Sequence, residues 1–155
     1  MADYGDNKPQ EGDVLLYQTV DGGNIDVSSG ITEMTAGFET MAYLSLFGGN
    51  LEDPGDDDTK YQWWGNYLET DPARQYRSKT QYILKSIPAT SGNLVRIQDA
   101  VVSDLSRDFI VTGIANNIEV AVSIPALNRV QIDIQIEAFG ARSEFTFTEN
   151  WENAI

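Results

Sequence analysis

Neither cysteine nor histidine occurs in the 155 residues of this chain. The lack of thiols excludes disulfides and thiolate nucleophiles. The lack of imidazole removes Cys/His zinc sites and every Ser–His–Asp scheme. Basic residues are scarce: ten Lys and Arg stand against 24 Asp and Glu, for a net charge of −14. A surface of that sign repels nucleic-acid phosphates and anionic lipid, so neither nucleic acid nor membrane is an expected partner. Basic protein surfaces and divalent cations are favoured instead. No stretch approaches the roughly 18 apolar residues of a membrane span, and Met1–Gln10 lacks the basic-then-apolar order of a signal peptide, so a cytosolic protein is expected. The sequence also contains no G-x-S-x-G, no P-loop and no G-x-G-x-x-G.

What is present is a globular composition: 41 % apolar residues, with three Trp, seven Tyr and six Phe. That is sufficient for one domain with its own core. The acid is unevenly placed. Residues 1–58 hold thirteen acidic residues and one lysine, residues 59–142 are close to neutral, and residues 143–155 hold three Glu and no base. Two acidic ends therefore flank a balanced middle.

Only carboxylates, Ser, Lys or Tyr remain for catalysis. Glu33 with Glu39, or Glu69 with Asp71, would suit glycoside hydrolysis if held roughly 5–9 Å apart. Nothing in their spacing sets them apart from solvated surface charge, so no enzyme and no cofactor is expected. Asp53, Asp56, Asp57 and Asp58 lack the ligand order of an EF-hand loop and read as a solvated loop tip or, at most, a loose cation site.

Residues 1–12 read as a loose acidic arm. Val14–Val20 is a short strand, reversed at Asp21-Gly22-Gly23-Asn24 into Ile25–Val27. A helix is expected from about Gly37 to Phe47, capped by Thr35, apolar on several sides and stopped by Gly48-Gly49-Asn50. Ser78–Ile87 has helical spacing and ends at Pro88. A longer helix follows, with Ser91 as its cap. Leu94, Ile97, Val101, Leu105 and Phe109 line its apolar face, while Arg96, Asp99, Ser103, Asp104 and Arg107 occupy the others. Gly113 followed by Ile114 reads as a left-handed C-cap.

Asn117–Ile124 and Arg129–Glu137 alternate apolar and polar with period two and are joined through Pro125–Asn128. Val120 and Val122 then face one way, as do Ile132 and Ile134. Glu144–Thr148 alternates too, after Gly140. The expected fold class is α+β: helices packed on a small antiparallel sheet, with a C-terminal β-hairpin plus a terminal strand. The expected organisation is an arm (1–12), one α+β domain (13–138) and a C-terminal strand and tail (139–155).

Two features point to partners. Adjacent Trp63 and Trp64 cannot both enter one core from an irregular segment, so either both pack within the domain or one lies at an interface, where Trp is enriched. The terminal strand with Phe145 and Phe147, followed by Trp151, either closes its own sheet or adds to a partner's sheet edge. If it is donated, removing residues 141–155 is expected to leave a folded core.

The order of these features resembles a known family. Ser45-Leu46-Phe47, an acidic loop and Trp63-Trp64-Gly65-Asn66 are followed by Phe109–Ala115 and by Ile124-Pro125-Ala126-Leu127-Asn128-Arg129-Val130. Over residues 20–138 this is similar to the baseplate protein family of Mu-like contractile-tailed phages. That family resembles the small wedge protein, labelled lysozyme-like, that acts as sheath initiator. The resemblance implies an α+β structural protein of the virion, assembled in the host cytoplasm and present in six copies. Its implied partners are the tail sheath protein, baseplate wedge proteins and tube or hub proteins, engaged by β-strand addition. Asp71-Pro72-Ala73-Arg74 loosely echoes a Glu-Pro-Arg wedge-binding motif, which implies a contact role for Arg74. The chain departs from the family pattern in its acidic first third and in its extension beyond Glu137. Outside the family, an acidic adaptor or inhibitor occupying a basic surface is the alternative, followed by a carboxylate hydrolase.

Overall fold

Period-two alternation in the last third of the chain becomes a three-stranded antiparallel sheet. A computed structural model describes residues 16–19, 22–25, 27–28, 31–32, 38–49 and 64–151. Strands β5 (Asn117–Ser123), β6 (Arg129–Ala138) and β7 (Ala141–Asn150) lie in that order, with β6 in the centre. β6 pairs with β5 from Asn117↔Glu137 to Ser123↔Gln131, and with β7 along its whole length, from Arg129↔Asn150 to Ala138↔Ala141. β7 is longer than the Glu144–Thr148 segment expected, and within this chain it completes the chain's own sheet.

Because side chains alternate across a strand, one face carries Val130, Ile132, Ile134 and Ile136, all buried, and the other is polar. Helices cover the apolar face. Helix α1 (Glu39–Phe47) supplies Leu44 and Leu46 to the core. Helix α3 (Leu94–Leu105) buries Ile97, Val101 and Leu105 and packs on β5. It continues into a π-helical turn, Ser106–Ile110, which buries Phe109 and turns Ile110 toward solvent. Gly113, at φ 77°, takes the expected left-handed position. Helix α2 (Lys79–Ser86) is capped by Ser78, whose hydroxyl accepts from Gln81 N at 3.0 Å.

α1 stops at Gly48-Gly49 as expected, with neither glycine at positive φ. A Cβ at Gly48 would stand 2.3 Å from Leu44 O, and one at Gly49 would stand 2.6 Å from Tyr76 O, so close backbone approach is what demands glycine there. Asp104 is not on a solvated face. It is 1 % exposed, because it satisfies the start of α2 from inside.

By compactness the chain divides into Met1–Met41 and Ala42–Ile155, so residues 139–151 are integral to the larger unit. In the smaller unit β1 (Leu16–Thr19) pairs with β2 (Gly22–Ile25), and β3 (Val27–Ser28) pairs with β4 (Ile31–Thr32). The reversal thus falls earlier than expected, because Gly22, Gly23 and Asn24 are already strand residues.

Candidate interaction surface

The six sheet residues marked as contacts by their alternation form two cross-strand rows. Val120, Ile134 and Phe145 lie side by side, as do Val122, Ile132 and Phe147. Both rows are on the covered face. Ile132 and Ile134 are buried, Phe147 is 9 % exposed, and Val120, Val122 and Phe145 are half-buried. The Phe147 ring meets Tyr43 at 5.7 Å and Phe47 at 6.2 Å, both from α1, and meets Phe145 at 5.7 Å. Trp151 is fully buried as well. These side chains hold the sheet to its helices. Alternation identified the apolar face correctly, but burying that face within the chain leaves Ile132, Ile134 and Trp151 no surface to offer.

Trp63 lies outside the described residues. Trp64 opens a 3₁₀ turn, Trp64–Tyr67. The neighbour that organises this loop is Asn66, which sequence reasoning missed. Its Nδ2 donates to Tyr76 O at 2.9 Å and to Gly48 O at 3.3 Å, and its Oδ1 accepts from Tyr76 N at 2.9 Å. Gln75 Nε2 adds bonds to Asn66 O and Glu69 O. Arg74 ends a second 3₁₀ turn, Pro72–Arg74, in the open, with Nε 3.5 Å from Glu69 Oε2. Glu69 and Asp71, the described pair of candidate carboxylates, shape this turn: Glu69 Oε1 accepts from Asp71 N, and Asp71 Oδ1 accepts from Ala73 N. Glu33 and the Asp53–Asp58 loop lie outside the described residues.

The most concentrated buried polar chemistry is at Asp104. It accepts from Lys79 N at 3.0 Å, Thr80 N at 2.8 Å and Thr80 Oγ1 at 2.8 Å, with Arg107 Nη1 3.7 Å away. Burial pushes its carboxyl up from the ordinary value, while the donors from Thr80 and Lys79 and the Arg107 charge pull it back. Arg107 is itself gripped by Asp108 through two 2.7 Å bonds and donates to Arg77 O. Ser78 donates to Leu46 O. The bonds of Ser78, Thr80 and Asp104 run between elements, so the cluster ties α1, α2 and α3 together. The one missed signal in the sequence was Ser78-Lys79-Thr80-Gln81, which has the spacing of a capping box.

Among the described residues, the polar face of the sheet and its two edges are not covered by helices. A shallow open depression of about 370 Å³ crosses that face, with Glu119, Asp133 and Glu144 among its lining. Asp133 accepts from Thr146 Oγ1 at 2.7 Å and from Gln131 Nε2, and these bonds hold its carboxyl below the usual range. Glu137 and Arg142 face each other across β6 and β7 at 2.8 Å. Along the outer side of β7, ten residues long, no strand is paired among the described residues.

Among the described residues, no group of His, Cys, Asp and Glu could hold a metal ion, and no helix is long and apolar enough to cross a membrane. No protein-family model, curated protein or solved structure matches the chain.

Proposed function

We propose that this chain is a structural assembly protein of a contractile phage tail, a baseplate wedge or sheath initiator that joins the baseplate to the first sheath ring by β-strand addition. The observation that carries the reading is the outer edge of β7. Among the described residues β7 is an edge strand of ten residues, on a sheet whose apolar face is held by helices, and such an edge presents a row of backbone donors and acceptors. The incoming strand belongs to the partner, and β7 receives it while remaining paired with β6. Backbone groups supply the affinity, and six-fold avidity makes weak single contacts sufficient. The resemblance of the motif order to the Mu-like baseplate family supports the choice of partner, the tail sheath protein.

The test is amide hydrogen exchange of the full chain, alone and with the sheath protein encoded by the same genome. Alternate β7 amides point away from β6; they are expected to exchange rapidly in the free chain and to become protected in the complex. Failure to form a complex, or a complex with unchanged β7 exchange, would overturn the reading. The acidic-adaptor alternative draws on Glu119, Asp133 and Glu144. It predicts binding to a basic protein that disappears at moderate salt without any change at β7.

A further inference from the structure

Of the four described residues with positive φ, three are of the types that tolerate it: Gly113, Gly140 and Asn128. The fourth is Phe139, at φ 53°. With Gly140 at φ 77° it forms the two-residue loop between β6 and β7, closed by the Ala138↔Ala141 pair. Positive φ at both loop positions is the type I′ pattern, whose first position favours Asn, Asp or Gly because a bulky side chain is strained there. The Phe139 side chain is also 64 % exposed. A Cβ placed on Gly140 would meet nothing within 4 Å, so there is open space beside that position. At 64 % exposed, the ring buries little apolar area to offset the strain of its backbone. A residue that is both strained and exposed marks a place where sequence serves something other than stability.

We propose that Phe139 is an aromatic anchor for the protein that adds a strand to β7, inserting into an apolar pocket rimmed by basic side chains. The inference rests on the assembly reading above and deepens it. Phe139 stands two residues before β7 begins, so a strand laid along that edge brings the partner's body against the loop. The charges beside the loop set the sign of the rim. Arg142 is neutralised by Glu137 at 2.8 Å and lies 3.9 Å from Glu144, and Glu119 acts on the same guanidinium, which leaves an acidic excess. A rigid aromatic ring at the end of a backbone-paired edge gives orientation to an interaction that backbone bonds alone leave free to slip.

Phe139→Asn in the full chain tests this. Asn-Gly is the favoured type I′ pair, so the melting temperature is expected to rise by about 2–4 °C. Affinity for the same genome's sheath protein is expected to fall about tenfold or more, while β7 amides still gain protection at saturating sheath protein. Phe139→Leu, apolar but equally strained, is expected to retain more affinity than the Asn variant. Undiminished affinity of Phe139→Asn alongside normal β7 protection would overturn the anchor and leave the assembly reading standing. A lowered melting temperature would make Phe139 a folding residue and would also overturn the proposal. Absence of binding by the unaltered chain would remove the assembly reading and this partner together.

Discussion

Trp151 Nε1 donates to the main-chain oxygen of Ile87 at 2.9 Å, joining residues 64 positions apart. The Trp151 backbone N–H in turn donates to Asn128 O at 2.9 Å. The residue just after β7 is therefore bonded both to the end of α2 and to the loop before β6. With its indole fully buried, Trp151 is the pin that holds the last strand in register.

Trp151→Ala is expected to destabilise the chain by about 3–5 kcal/mol, since it leaves a large cavity and an unsatisfied Ile87 carbonyl. Trp151→Phe keeps most of the volume but loses the bond, and is expected to cost less. Chemical denaturation of both variants checks the ranking. Removal of residues 141–155 is now expected to unfold the larger unit, because it strips one side of β6 and the pin with it. A truncation that retained a cooperative transition would refute this account of the strand.

Much of this architecture was legible in the sequence, and the limits of that legibility have physical causes. Period-two alternation placed β5 and β6 to within a residue or so, since a sheet with one buried face imposes that pattern. The same pattern cannot say whether an apolar face is buried by its own chain or by another, so Ile132, Ile134 and Trp151 read as contacts and proved to be core. Asp104 was misplaced for the opposite reason. Helical spacing assigns a charged residue to the outside unless something within satisfies it, and here the satisfying donors come from the start of α2, 24 and 25 residues away. Asn66 was hidden in the same way behind the two tryptophans that precede it.

Asp104→Ala is expected to cost about 3 kcal/mol or more, because Lys79 N, Thr80 N and Thr80 Oγ1 lose their acceptor in a buried site. Asp104→Asn retains one acceptor but turns an amide N–H₂ toward other donors, so only partial recovery is expected. Urea unfolding at neutral pH measures both, and losses below about 1 kcal/mol would show that the helix junction does not depend on this carboxylate.

Asn66→Ala is expected to lose about 2–3 kcal/mol, since Tyr76 N, Tyr76 O and Gly48 O are all left without their side-chain partner. Asn66→Asp is expected to be at least as harmful, because it sets a carboxylate oxygen against two carbonyls. Gly49→Ala tests the same junction from the other side, where the new methyl would stand 2.6 Å from Tyr76 O. If thermal unfolding showed Asn66→Asp equal to the unaltered chain, the clamp would be wrongly assigned.

Glu149 gives the clearest pH signature. Paired with Val130 in register, it lies half-buried on the covered face of β7, and its charge acts on Tyr43. Burial raises its carboxyl above the ordinary range, and the Arg129 charge only partly opposes this. A carboxyl raised in the folded chain binds more protons there than when unfolded, so stability must fall as pH rises through and above the ordinary carboxylate range. Asp104 is shifted the same way and contributes the same sign. Glu149→Gln removes the ionisation while keeping the shape, so the variant is expected to be more stable than the unaltered chain at neutral pH and about equal to it in mild acid. Melting temperatures measured across that interval decide the matter: parallel curves for the two proteins would mean that Glu149 is solvated and ionises freely.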